Sequence, residues 1–298
     1  MSEELIKVNV CVVTYNQQAY IRQCLDSILS QQTDFAFNLL IADDCSTDGT
    51  PAILQEYQAS YPTQIVLIPR AQNLGAYQNF KDVHQQATAP YVCHCDGDDY
   101  WLPGKLQAQA DFLDQHPACN VVFTRTWVEY APGELVEDNI SPAFIPPQGF
   151  RRADVLRMIS IGTNSSKMYR KPSQPYPYPD IPILDYFETV EQTADGYATY
   201  VSDQIYSVYR AGIGIASQGL STRYALHQNF RYFARRFPQE RAHVNTAALC
   251  LLLADCKNRR ASWKSGFATF VATFHPAVCW LILKAFKHMK TLRNPQRT

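Results

Sequence analysis

Through its N-terminal third the chain alternates short apolar runs with amphipathic stretches. Residues 7–13 (KVNVCVV) are apolar and rich in β-branched side chains, and residues 18–31 follow with Ile21, Leu25 and Ile28 at helical spacing. A strand is therefore predicted to pass through a loop into a helix. The pattern repeats: residues 37–42 (FNLLIA) predict a second strand ending at Asp43 and Asp44. A CSTDG turn then leads to Thr50 and Pro51, a cap followed by proline at a helix start, with Ile53, Leu54 and Tyr57 on one face. Residues 64–69 predict a third strand, 77–86 a third helix and 91–95 a fourth strand. Trp101, Leu106 and Leu113 come next at spacings that suit a helix buried on the sheet. Strands alternating with helices predict an α/β fold, a three-layer α/β/α sandwich around a mostly parallel central sheet.

With 298 residues, 46% hydrophobic and 18% charged, the chain can bury a sizeable core as one large domain or two small ones. Nine cysteines in no small-domain spacing, and an opening MSEELIKVNV without signal-peptide features, lead us to expect a reducing, cytosolic compartment. The net charge of zero hides an asymmetry. Residues 256–298 carry nine Lys or Arg and no Asp or Glu, which leaves the first 255 residues at a net charge of −9.

Ligands of parallel sheets bind outside the carboxyl ends of the strands. Here the first strand ends in Thr14, Tyr15 and Asn16, the second in Asp43 and Asp44, and the fourth in Asp96-Gly97-Asp98-Asp99. Three polar clusters should thus converge on one edge. Three carboxylates within four residues raise each other's pKa and repel unless a cation sits among them, and oxygen-only ligands suit Mg2+ or Mn2+. A lone Asp-X-Asp is usually a solvated acidic turn, but this one has company. An aspartate-nucleophile phosphatase would want Thr or Val soon after the second Asp and an early place in the chain; Asp98-Asp99-Tyr100-Trp101 meets neither condition. Cys93-His94-Cys95 lacks the second cysteine pair of a zinc site, and strand alternation accounts for it with both cysteines on one side. No P-loop or Gly-X-Ser-X-Gly occurs, and Gly212-Ile213-Gly214 with Gly219 misses the dinucleotide spacing. Phosphates are expected to be held through metal.

In order along the chain, VVTYNQQAYIRQCLDSILSQ, LLIADDCSTDGT, NLGAYQNF and CHCDGDDYWLPGKLQAQADFLDQHP resemble the successive signature segments of family 2 glycosyltransferases, which have the A-type nucleotide-sugar fold. GTNSSKMYRK (162–171) resembles the family's acceptor-side segment, and residues 183–210 its Gly-Asp block with the closing Tyr-Arg. The resemblance covers residues 7–215 and implies inverting transfer of a sugar from a UDP-linked donor to a hydroxyl of a surface-glycan or lipid-linked acceptor. It implies Mn2+ or Mg2+ as cofactor and no nucleic-acid partner. Tyr15, between Thr14 and Asn16, matches the position whose ring packs on uracil, although a strand-end aromatic can also merely shield the core. Asp44 matches the carboxylate that accepts the uracil N3 hydrogen; an acceptor-only group selects a ring presenting N–H and rejects cytosine. Asp43 reads as a loop brace. Asp96 falls where the family contacts the ribose or donor sugar and Asp98 where it binds the metal bridging the diphosphate, with Asp99 a second candidate for either role. Asn79 matches a nucleotide contact, or else is a solvated helix residue.

Asp185 matches the base that takes the acceptor's proton, with Asp180, Glu188 and Glu191 as nearby substitutes. Leu184 stands where the family has Gly or Glu. After Tyr209-Arg210 many relatives carry a histidine, absent from Ala211-Gly212-Ile213-Gly214. The diphosphate would then fall to Arg210, backbone N–H groups and metal, and the alternative reading is a non-catalytic nucleotide-sugar binder or scaffold of a glycan-assembly complex.

The expected division is a nucleotide-sugar domain over 1–225 and a helical, basic and apolar extension over 226–298. The extension opens with NFRYFARRF (229–237), continues through an apolar run at 247–254 and reaches a 19-residue uncharged run, 265–283, broken at Pro276. Phe267, Phe270, Val271, Phe274, Val278, Trp280, Leu281, Ile282, Leu283 and Phe286 exceed what two short helices can bury. Nine cations suit an anionic leaflet at about 1 kcal/mol each. The central proline favours helices lying in the interface over a straight span. A cytoplasmic protein, peripheral on the inner face of the cell membrane, is expected.

Overall fold

The first predicted strand and helix are β1 (Ile6–Thr14) and α1 (Ile21–Leu29) in the computed structural model, which describes residues 5–140, 144–213 and 220–281. Then come β2 (Ala36–Asp43), α2 (Thr50–Ser60), β3 (Ile65–Ile68), α3 (Ala76–Gln86) and β4 (Tyr91–Asp96), in the predicted order. Gly214 and Gly219, Ile282, Leu283 and Phe286, and the cations from Lys284 onward lie outside the described residues.

Alternation along β1 sorts its side chains between two layers. Val8, Val10 and Val12 pack with Ile21, Leu25 and Ile28 of α1 and with Leu106, Ala110 and Leu113 of α4 (Lys105–Gln115). Cys11 faces the other way, its thiol directed at the Val83 carbonyl of α3. Each such aliphatic side chain, fully buried, stabilises the fold by about 1.5–3 kcal/mol. Cys93 and Cys95 share the α1 and α4 side, as alternation predicts, with Cys95 3.7 Å from Cys24; His94 faces α3.

Trp101 departs from the expectation. It lies on a two-residue strand, β5 (Tyr100–Trp101), and α4 starts only after Gly104, at φ +87°. Pro103 biases Leu102 toward extended backbone, so the helix does not run back through Trp101. The Trp101 amide donates to Ser27 Oγ and its indole to the Ser165 carbonyl.

The sheet continues with β6 (Cys119–Ala131), β7 (Glu134–Glu137), β8 (Lys167–Arg170) and β9 (Tyr197–Arg210). Its order is β3-β2-β1-β4-β8-β6-β9-β5, with β7 added on β6. The first four strands in that order are parallel; β8 inserts antiparallel to β4 and β6, making the sheet mixed.

Two compact units form. The first, Met1–Asn139, Gly162–Tyr176 and Gly196–Ser217, holds the sheet. The second joins Ile140–Ile161 and Pro177–Asp195 to the C-terminal residues from Gln218. Its helices are α5 (Arg152–Met158), α6 (Asp185–Thr193), α7 (Leu220–Arg236), α8 (Arg241–Lys257) and α9 (Trp263–Ala272). This division and the single cut expected after residue 225 differ in kind, because inserts from within the sheet region join the C-terminal helices. The NFRYFARRF stretch serves that second core. Phe230 and Phe233 are fully buried, each edge-on to Tyr186 of α6 at 5.5 and 5.6 Å, and Arg236 pairs with Glu191 at 2.6 Å.

Candidate active site at the strand ends

Parallel pairing sets Thr14 beside Asp43 and Val13 beside Asp96, so the ends of β2, β1 and β4 share one edge. Past the strands the pairing continues. The Asp44 amide donates to the Thr14 carbonyl and the Gly97 amide to the Val13 carbonyl, both at 2.9 Å. The three polar clusters converge as the sequence predicts.

On the β2 side, Tyr15 is 44% exposed, an open ring at the rim. Asn16 next to it adopts φ +52°, a left-handed backbone that Asn tolerates; its side-chain oxygen accepts the Thr47 amide at 2.8 Å. Asp43 accepts the Ser46 amide and hydroxyl, the loop-brace role expected, and burial raises its pKa. Asp44 is a brace as well. Its carboxylate is buried and accepts the amides of Leu74 at 2.7 Å and Gly75 at 2.9 Å, one on each oxygen, and each oxygen retains a further lone pair. Asn79 is buried rather than solvated. Its amide donates to the Ala42 carbonyl at 2.8 Å and accepts from Arg70 Nε at 3.0 Å. Arg70 itself escaped the sequence reading, and its Nη2 is buried with no hydrogen-bond partner.

On the β4 side the acidic loop is held from three directions. Gly97 is required by contact, since a Cβ there would lie 2.5 Å from Gln17 Oε1 and 2.9 Å from Thr14 Cβ. Asp99 is buried, accepting the Ser165 hydroxyl at 2.5 Å and the Arg210 amide at 2.9 Å. Burial and the charges of Asp96 and Asp98 push its carboxyl well up. Arg210 locks the same loop: its guanidinium donates to the Asp98 carbonyl, to Gln23 Oε1 and to Glu129 at 2.8 Å, between the rings of Tyr20 and Tyr100. A buried cation with three protein acceptors organises the loop.

Asp96 is oriented by a buried chain that sequence reading missed. Its Oδ1 lies 3.1 Å from His94 Nε2, His94 Nδ1 lies 3.0 Å from His84 Nε2, and His84 Nδ1 lies 2.8 Å from the Tyr169 hydroxyl. Burial drives the His84 pKa far down, so that ring is neutral. Assigned from the network, donors run one way: Tyr169 hydroxyl to His84, His84 to His94, His94 to the Asp96 carboxylate. Burial acts to raise the Asp96 pKa, but His94, Ser165 and the Lys167 charge outweigh it and hold the carboxyl below its usual range.

Asp98 is the carboxylate under stress. Burial, then the charge of Asp96, pushes its pKa up to about 6. Close by, Thr14 Oγ1 and Gln17 Oε1 are buried without hydrogen-bond partners, both atoms within 3.0 Å of the Gly97 Cβ position. Among the described residues no three His, Cys, Asp or Glu side chains form a metal cage. One or two carboxylates with neutral oxygens fit Mg2+ or Mn2+, which keep waters and phosphate oxygens in their shells, and do not fit structural zinc.

Asp185, the expected base, belongs to the second unit. It is the first residue of α6 and is exposed. Of its substitutes, Asp180 is exposed, whereas Glu188 and Glu191 are buried along the helix, Glu191 in its pair with Arg236.

Comparison with known proteins agrees with this geometry. The family described as "Glycosyl transferase family 2" matches residues 9–173. An uncharacterized protein of Mycobacterium tuberculosis is 34% identical over 255 residues, covering 83% of this chain and 68% of its own. Residues 1–349 of Staphylococcus aureus TarS, solved with UDP-GlcNAc, superpose with a TM-score of 0.65 at 19% identity, covering 93% of this chain and 84% of that one. The mannosyltransferase PcManGT of Pyrobaculum calidifontis, solved with GDP-Man and Mn2+, gives a TM-score of 0.57 at 17% identity over 98% of this chain and 83% of that one. The A-type glycosyltransferase fold is shared.

Proposed function

Because the chain belongs to the family 2 glycosyltransferases, we propose that it is an inverting enzyme that moves a sugar from a UDP-linked donor to a hydroxyl of a surface-glycan or lipid-linked acceptor. The observation that carries this reading is Asp98, a buried carboxylate beside Asp96 and two partnerless oxygens at the strand ends. Asp98 would hold a divalent cation, Mn2+ or Mg2+, which when bound would supply charge neutralisation for the leaving diphosphate.

The chain's own residues do the rest. Tyr15 offers a ring face to the base, and Asp44 offers its remaining lone pairs to a ring N–H. Arg70 Nη2 offers a donor, positioned by Asn79. Asp96, fixed by His94, accepts hydrogen bonds from hydroxyls of the ribose or donor sugar. Asp99 and Arg210 hold the loop in shape. Asp185 takes the acceptor's proton, the step that makes the hydroxyl a nucleophile. A membrane-held acceptor places the protein at the inner face of the cell membrane.

Nucleotide release from a panel of sugar nucleotides tests this, with Mn2+ added and then chelated. Release from one uridine donor that stops on chelation is expected. Release that ignores the metal, or none from any donor, would contradict the proposal.

A further inference from the structure

We infer that the outward face of α9 docks on the surface of an anionic lipid bilayer. The helix is built the opposite way to one that faces water. Its inward positions, Ser262, Gly266, Thr269 and Thr273, are small or polar and fully or nearly fully buried. Its outward positions, Trp263, Phe267 and Val271, recur every four residues and continue to Phe274, each between 45% and 55% exposed. Trp280 beyond them is 58% exposed.

Hydrogen bonds fix that rotation. Arg231 donates to Thr269 Oγ1 at 3.1 Å, and Asn245 donates to Thr273 Oγ1 at 3.0 Å and to the Phe270 carbonyl at 2.9 Å. Arg241 donates to the carbonyls of Ala272 and Thr273, and Ser262 donates to the buried Asp255 at 2.6 Å. At Gly266 a Cβ would stand 3.3 Å from Leu252 and 3.4 Å from His227, so α9 sits close against α8 and α7. Turning the aromatic face inward would break these bonds and leave the buried Asn245 amide without its partners. The apolar face therefore points outward by construction.

Charge selects what covers it. The last 43 residues carry nine cations and no carboxylate, and Lys257, Arg259 and Lys264 are exposed around α9. A second copy of the chain would bring Lys257, Arg259 and Lys264 to the contact and repel; an anionic leaflet attracts them. Tryptophan at the ends of the face suits the headgroup level. No described helix is long and apolar enough to cross a membrane, so α9 lies in the interface plane. This deepens the proposed membrane location and rests on it only for the acceptor, because vesicle binding is read without sugar transfer.

The test is co-sedimentation of the full-length protein with phosphatidylglycerol–phosphatidylcholine vesicles and with phosphatidylcholine alone, at low and high salt. We expect pelleting with the anionic vesicles that salt weakens, and about a tenfold loss of affinity in Phe267→Glu/Val271→Glu. The same variant should keep donor hydrolysis in solution and its folded circular dichroism. A parent that does not pellet, or pellets equally with neutral vesicles, would overturn the inference. So would a dimer in solution that the double variant dissociates, which would assign the face to a second copy. Loss of donor hydrolysis in every preparation with vesicle binding intact would count against the proposed reaction and not against the surface.

Discussion

His94 Nε2 lies 3.1 Å from Asp96 Oδ1, and the ring that makes this contact is wholly buried. A buried donor in that place fixes one carboxylate oxygen, while the Asp96 amide donates to Ser165 Oγ at 3.0 Å and ties down the backbone behind it. Removing it should affect binding of the donor more than folding.

His94→Leu is expected to raise the KM for the hydrolysed donor roughly tenfold, since a hydrogen bond to a charged group is worth about 1.5–3 kcal/mol. His94→Gln, which can still present an N–H, should recover part of the loss. Steady-state kinetics of both variants decides; equal KM values in His94→Leu and parent would show that Asp96 needs no such orientation.

Asp44→Asn should narrow the preference for uracil over cytosine, because an amide can present a donor where the carboxylate only accepts. The structure adds a second effect: one amide end must face the Leu74 or Gly75 N–H, at a cost of about 1–3 kcal/mol in stability. Calorimetry with UDP and CDP, alongside denaturant melts, separates the two. An unchanged UDP to CDP ratio would mean that Asp44 braces the loop and does not read the base.

Asp185→Asn should bind donor as the parent does and lose transfer, because the proton it takes belongs to the acceptor. Turnover near the parental rate would move the role to Asp180, the substitute that is also exposed; Glu188 and Glu191 are buried.

The metal-free protein should respond to pH through Asp98. Its pKa is raised in the folded state, to about 6, so the folded form binds the proton more tightly than the unfolded one. Stability from this group therefore rises as pH falls from 7 toward 5, and at pH 7.5 the ionised group costs about 3 kcal/mol. In a chelator, Asp98→Asn should be more stable than the parent at pH 7.5, with the difference shrinking by pH 5. Melts in which parent and variant keep one constant gap over that range would show that Asp98 ionises normally.

Four of the sheet's nine strands were legible because apolar alternation is local: seven elements up to β4, and the polar residues at their ends, follow from spacing alone. What the sequence hid depends on partners far along the chain. Asp99 is held by Arg210, 111 residues later, and Asp96 by Ser165, 69 later, so nothing within DGDD tells which carboxylate the fold braces. His94 looked like strand filler because its role depends on His84 across a strand–helix contact. Trp101 was read as helical since Pro103 and Gly104 interrupt a spacing that otherwise fits. The aromatic and basic stretch at 229–237 turned inward because Glu191 and Tyr186, on a segment inserted before β9, complete its packing.

The central claim is a divalent cation at the strand ends, held by Asp98. Calorimetric UDP affinity, with and without Mn2+, in the parent and in Asp98→Asn tests it most directly. The account predicts metal-dependent binding in the parent and loss of that dependence in a folded Asp98→Asn, whose amide removes a unit of negative charge at nearly constant volume. Equal metal dependence in the two proteins would contradict it.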